Sequence, residues 1–115
     1  MKTYLVEPTG TAEAEAERSY LRYGRTSLEV ADRWQTSLVK AMVSLSSMPN
    51  RCPVAPESRL YPGTVIRHLV FGKHRLLFHV VEPAEDEAQG VVRVLHVLHG
   101  AQVLRHEQEQ DDDGP

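Results

Sequence analysis

A chain of 115 residues falls in the size range of one folding unit, which excludes a two-domain enzyme. Hydrophobic residues make up 41% and charged residues 25%, so a packed core is expected and global disorder is excluded. The formal net charge of −3 is unevenly spread: residues 51–82 carry +3 and residues 103–115 carry −4, a basic middle able to meet an acidic partner, followed by an acidic end.

In chain order, Lys2 to Val6 is short and β-leaning and is closed by Pro8, Thr9 and Gly10, the residues of a turn. From Thr11 the texture turns to Ala and Glu, with Ala12, Ala16, Tyr20 and Tyr23 on one helical face, which predicts a first helix ending near Gly24. Thr26-Ser27-Leu28-Glu29 fits a capping box with Thr26 as the cap. A second helix follows, its apolar stripe running through Ala31, Trp34, Leu38, Ala41, Leu45 and Met48 until Pro49 stops it. Residues 49–63 hold Pro49, Pro53, Pro56, Pro62 and Gly63 and read as a proline-stiffened loop without regular structure. Thr64 to Phe71 and His74 to Val81 are strands joined by Gly72-Lys73, the glycine-first pair of a type II′ hairpin. After the acidic loop from Pro83 to Gly90, Val91 to Leu98 adds a further strand. Past Gln102 the chain thins to Glu, Gln and Asp, too polar to offset its ordering entropy. The expected architecture is α+β, in the order β-α-α-β-β-β: a helical hairpin packed on one face of a small, mostly antiparallel four-stranded sheet in residues 1–102, with an acidic, disordered tail in 103–115.

The single cysteine, Cys52, cannot form an intrachain disulfide, and no apolar run is long enough for a signal peptide or a membrane span. These features predict a soluble cytoplasmic protein. Cys52 reads as an exposed thiol beside Arg51, with no histidine next to it in sequence to make it a nucleophile. His96 and His99 stand three apart on a strand, on opposite faces and without a Cys or carboxylate neighbour, so no metal site is expected. Trp34 belongs to the apolar stripe and reads as core. With no phosphate-binding glycine loop and no nucleophile elbow, neither a cofactor nor a small-molecule substrate is implied.

Several pieces in order resemble the RelE/ParE superfamily of toxins from type II toxin–antitoxin systems. They are the Ala- and Glu-rich first helix ending in Tyr23, Ala31 and Trp34 early in the second helix, the exit from Leu45 to Pro49, and Val65-Ile66-Arg67-His68-Leu69. The hairpin from Gly72 to Val80 and Val94-Leu95-His96-Val97-Leu98-His99-Gly100 complete a likeness covering roughly residues 12–100. The resemblance implies a growth-arresting toxin neutralised by a cognate antitoxin, with either DNA gyrase (ParE-like) or the translating ribosome and its messenger RNA (RelE-like) as target.

The two branches make different chemical demands. Cutting RNA through its 2′-hydroxyl requires a proton acceptor, cations for the phosphate charge and an acid for the leaving oxygen. By resemblance, Arg75 falls on the central arginine position of RelE-like members and His68 where they often carry lysine, on the open face of the sheet. A two-residue turn pairs Val70 with Arg75, His68 with Leu77 and Ile66 with His79, so that His68, Arg75 and His79 share one face as the catalytic candidates. Against the nuclease, the segment after the last strand reads His99-Gly100-Ala101-Gln102, where RelE-like members place another arginine. For a ParE-like binding surface the resemblance points to Arg67, whose register beside Phe78 also suits a structural arginine, together with Arg59, His99 and Gly100. The gyrase-directed reading stands slightly ahead of the RelE-like one. A third reading is an inactive relative that keeps the fold and the antitoxin but has lost its target, with the acidic tail competing for the basic surface.

Overall fold

The computed structural model describes residues 2–100 and 102–104. Its elements are β1 (Thr3–Pro8), α1 (Gly10–Gly24), α2 (Leu28–Ser44), two short 3-10 turns (Pro49–Arg51 and Pro56–Leu60), β2 (Arg67–Phe71), β3 (His74–Val81) and β4 (Gln89–His99). The four strands form one sheet in the order β1-β4-β3-β2, β1 running parallel to β4 and the other pairs antiparallel. This is the α+β arrangement expected from the sequence.

The Thr9 hydroxyl starts α1: its oxygen accepts from Ala12 N at 3.2 Å and its O–H donates to the Leu95 carbonyl at 3.2 Å, pinning the helix start to the sheet. The next cap differs from expectation. Ser27, in extended backbone, accepts from Val30 N at 3.3 Å and caps α2, while Thr26 N bonds to Tyr23 O in the turn before it. The capping box at Thr26 therefore does not form; the cap lies one residue later.

Helix α2 also ends earlier than Pro49. Ala31, Leu38, Ala41 and Leu45 are buried and Trp34 half-buried, but Met48 is 67% exposed and sits in left-handed backbone at φ 51. Ser46 gives its carbonyl to Tyr4 N at 3.0 Å, trading a helical bond for one to β1, and the Ser44 and Ser46 hydroxyls bond carbonyls three residues back, a local alternative to helix continuation. The proline ring of Pro49 then disfavours helical backbone at Met48. The segment expected as an irregular loop carries two 3-10 turns, each opening on a proline, because a fixed φ with no N–H suits a first helical position.

At the hairpin, Gly72 has φ +55 and Lys73 is not among the positive-φ residues, which matches a type II′ turn. Val70 pairs with Arg75, His68 with Leu77 and Arg67 with Phe78 as the turn dictates. The further pairing of Ile66 with His79 does not occur: β2 begins at Arg67, and Ile66 instead bonds Ser58 and Ala55 of the second 3-10 turn. In β4 the register slips between Leu77 and Phe78, which face His96 and Val94, leaving Leu95 as the extra residue of a bulge.

The sheet is covered on both faces. The helices pack on one, where Leu76, Phe78, Val92, Val94 and Val97 meet Ala12, Leu38, Ala41 and Leu45. On the other, Leu77 and Leu98 pack against Ala55, Leu60 and Ile66 of the proline segment and against Leu104. A face expected to stand open is thus a second core. Leu104, read by composition as tail, is one of its buried residues.

Candidate functional site

Arg75 lies on this second face, 5% exposed, and both its Nη nitrogens are engaged. Nη1 donates to Glu57 Oε1 at 3.0 Å and to His68 Nδ1 at 3.0 Å. Nη2 pairs with Glu57 Oε2 and donates to the Gln102 carbonyl at 2.7 Å. Glu57 is wholly buried and also accepts from Leu104 N at 3.3 Å. Burial by itself would raise the Glu57 carboxyl, but the Arg75 hydrogen bonds and charge, with backbone N–H donors, hold it below the usual carboxylate range. Since a guanidinium only donates, His68 Nδ1 is the bare nitrogen of a neutral ring. Burial and the neighbouring Arg75 push His68 below the ordinary histidine value, with Glu57 opposing. The expectation of an open catalytic face at Arg75 is therefore corrected: all four Nη hydrogens have partners, so neither terminal nitrogen keeps a free donor for a phosphate.

His79 does not join this pair. It shares the face by alternation, but four residues along β3 put it about 13 Å from Arg75, and both its ring nitrogens are buried without a partner among the described residues. Burial and Arg93 hold it below the ordinary histidine value.

The candidate binding residues are divided between locations. Arg67 pairs with Phe78, so it faces the helical side; it is half-buried and its Nη1 donates to the Cys52 carbonyl at 2.7 Å. Arg59 is exposed on the second 3-10 turn, two residues from Glu57. His99 and Gly100 are exposed at the end of β4, where Gly100 N donates to the Lys73 carbonyl of the hairpin turn. A Cβ on residue 100 would stand 2.8 Å from that carbonyl. The glycine is thus required for the close approach of β4 to the turn.

Beside this end lies a cluster that residue order did not reveal. His74, opposite His99 in the ladder, is buried among Tyr23, Trp34, Phe71 and the His99 ring, and Trp34 Nε1 donates to His74 Nδ1 at 3.2 Å. Burial, then His99 and Arg22, keep His74 below the ordinary histidine value. Two other expectations are corrected. Cys52 is buried, not exposed, and burial raises its thiol despite Arg51 and Arg67 nearby. His96 does have a carboxylate neighbour: Glu15 accepts from its Nδ1 at 3.1 Å and from Val97 N at 2.9 Å, tying α1 to β4. Among the described residues no group of three or more potential ligands is placed to hold a metal ion, and no helix is long and apolar enough to cross a membrane.

Residues 6–104 match the family model described as ParE toxin of type II toxin–antitoxin system, parDE. The chain belongs to the ParE toxin family. Membership implies a cognate antitoxin as partner. No curated protein sequence matches this ParE-family chain. Among solved structures it is similar to one described as "Chromosomal ParDE TA system from P. aeruginosa", at 18% identity and a TM-score of 0.62 over 84% of this chain and 96% of that one. The shared fold is the helical hairpin on a four-stranded mixed sheet. The family match ends at Leu104, the residue whose amide closes the Glu57–Arg75 cluster.

Proposed function

We propose that this ParE-family toxin arrests growth by binding and poisoning DNA gyrase, and that it does not cut RNA. The engagement of Arg75 carries this reading. A phosphoryl-transfer site needs cationic donors aimed at the charge that develops, and here the arginine at the centre of the face spends its Nη donors on Glu57, His68 and Gln102. What remains available for binding is the hairpin end, with exposed His99, Gly100 and Lys73, and, apart from it, Arg59 exposed on the second 3-10 turn.

The test is tightly controlled induction without antitoxin, together with purified full-length chain added to gyrase. Growth arrest with filamentous cells, loss of supercoiling and accumulation of cleaved DNA are expected, and co-expression of the antitoxin should relieve them. Arg59→Ala and His99→Ala should weaken arrest without changing the melting temperature. Unaltered gyrase activity alongside messenger RNA cut at the ribosome would overturn the proposal in favour of the RelE-like activity.

A further inference from the structure

Several elements meet at the hairpin end of the molecule, and what they bring there is aromatic and cationic. The last turn of α1 supplies Arg22 and Tyr23, α2 supplies Trp34, the end of β2 Phe71, the start of β3 His74 and the end of β4 His99. His74 is the hub: its ring centre stands 5.9 Å from Tyr23, 5.2 Å from Trp34, 5.7 Å from Phe71 and 5.3 Å from His99. Of these rings His74 alone is buried; Tyr23, Trp34 and Phe71 are half-buried and His99 is exposed, so the cluster opens to solvent instead of closing as core. The His99 plane is inclined 71° to that of His74, an edge contact that leaves at least one face of the exposed imidazole uncovered by His74. Two exposed cations border the rings. After burial and His99, the charge of Arg22 helps hold His74 below the ordinary histidine value, which places it beside the cluster. Lys73 precedes His74 in the turn, its carbonyl held by Gly100 N. Neither cation has an ion pair among the described residues.

We propose that this end of the molecule binds an unpaired DNA strand, Arg22 and Lys73 taking phosphates while a base stacks on His99. Cations bordering partly open rings make up a single-strand site, in which charge follows the backbone and ring faces take the bases. A duplex does not offer the same match, because its base faces are already stacked on one another. An acidic protein segment would engage the two cations and leave the rings idle. The choice of DNA rests on the gyrase reading above: a poisoned enzyme holds broken DNA, whose ends present unpaired nucleotides.

Fluorescence anisotropy of a labelled oligothymidylate of about ten nucleotides, with the full chain and no gyrase present, tests the contact. The buffer is held at about pH 8, above the range in which histidine carries charge. Two phosphate contacts give a slope of log affinity against log salt of about −1.4, and Arg22→Ala or Lys73→Ala alone should reduce it to about −0.7. His99→Ala should leave the slope unchanged and weaken binding about tenfold, an effect that should vanish on an abasic strand of the same length. All three positions are exposed, so melting temperatures should not move. Absence of binding at about 50 mM salt, a slope indifferent to both cations, or a His99 effect that persists on the abasic strand overturns the proposal. Tighter binding of the matching uridine oligomer overturns it in favour of RNA, and tighter binding of an acidic peptide of equal charge overturns it in favour of a protein partner. The contact and the gyrase reading fail separately. A chain that poisons gyrase yet ignores the strand overturns the contact and leaves the gyrase reading standing. A chain that binds the strand as described yet leaves gyrase untouched overturns the gyrase reading, and with it DNA as the source of the strand.

Discussion

Arg75→Met is the most informative single perturbation of the fold, because it leaves the wholly buried Glu57 carboxylate with only the Leu104 amide among its external donors. Removing one partner of a buried ion pair costs about 3–5 kcal/mol, a large share of a stability that for this size lies on the order of 10 kcal/mol. With a urea dependence of about 2 kcal/mol per molar, the unfolding midpoint should fall by roughly 1.5–2.5 M. The assay is urea unfolding followed by the fluorescence of Trp34, the chain's single tryptophan. The double variant Glu57→Leu/Arg75→Met removes both charges, so it should lie well above the sum of the single losses, with a coupling of about 2 kcal/mol or more. The pH dependence has a definite sign. Because Arg75 holds Glu57 below the usual carboxylate range, the stabilisation is present above the unfolded carboxylate value of about 4.3 and is lost as the pH falls through the folded value. In Arg75→Met the burial of Glu57 is no longer opposed, its carboxyl takes up a proton more readily, and the deficit against the parent should shrink on acidification. Additive single losses, or a deficit independent of pH, would refute the argument.

Three further outcomes follow from the same geometry. His74, held below the ordinary histidine value by burial, His99 and Arg22, contributes stability above the unfolded value of about pH 6.5 that is lost as pH falls through the folded value; protonation also removes the lone pair that Trp34 bonds, so Trp34 emission should titrate in that acid window in the parent and not in His74→Phe. A flat parent profile would contradict the Trp34–His74 assignment. Ser27→Ala should cost about 1 kcal/mol in thermal or urea unfolding, as loss of a helix cap does, while Thr26→Ala should stay within about 0.5 kcal/mol; the reverse order would restore Thr26 as the cap. Gly90→Ala places a Cβ 2.5 Å from the Val81 carbonyl and 2.8 Å from the Tyr4 ring, and should lower stability by about 1–3 kcal/mol; an unchanged melting temperature would show that the β1–β4 ladder yields there.

Element order and strand register were readable because each rests on short-range chemistry. Gly72-Lys73 sets a two-residue turn, the turn sets the pairing of Val70 with Arg75, and that pairing places His68 and Arg75 on one face. The stripe of α2 was equally plain through Leu45. What escaped reading depends on partners distant in sequence. Nothing local tells Ser46 that its carbonyl will bond Tyr4, which is why the helix ends before Met48. Glu57 registers in the sequence as one negative charge in a basic segment, yet it decides the chemistry of Arg75 from 18 positions away. Its one local signal is Pro56, which starts the 3-10 turn that turns Glu57 inward. Leu104 was hidden in the same way: an apolar residue bordering a polar stretch reads as tail until a carboxylate is there to receive its amide.

The role of Glu57 also explains why a matching set of residue types does not make a site. His68 and Arg75 are the residue types that the sequence resemblance put forward for RNA cleavage, and the register delivers them within hydrogen-bond distance of one another. A catalytic cation, however, must keep a donor free for the transition state, and a carboxylate buried against it has the stronger prior claim, because a charge-assisted bidentate pair in a dry setting cannot be given up for a solvated ligand without leaving a buried charge unpaired. Releasing Arg75 would require Glu57 to move out with its 3-10 turn, which would in turn unseat Leu104 and open the second core around Leu77 and Leu98. The cost of that rearrangement, set by a pair whose loss removes several kcal/mol, keeps the face closed, while His99 and Lys73 at the hairpin end and Arg59 on the second 3-10 turn remain exposed.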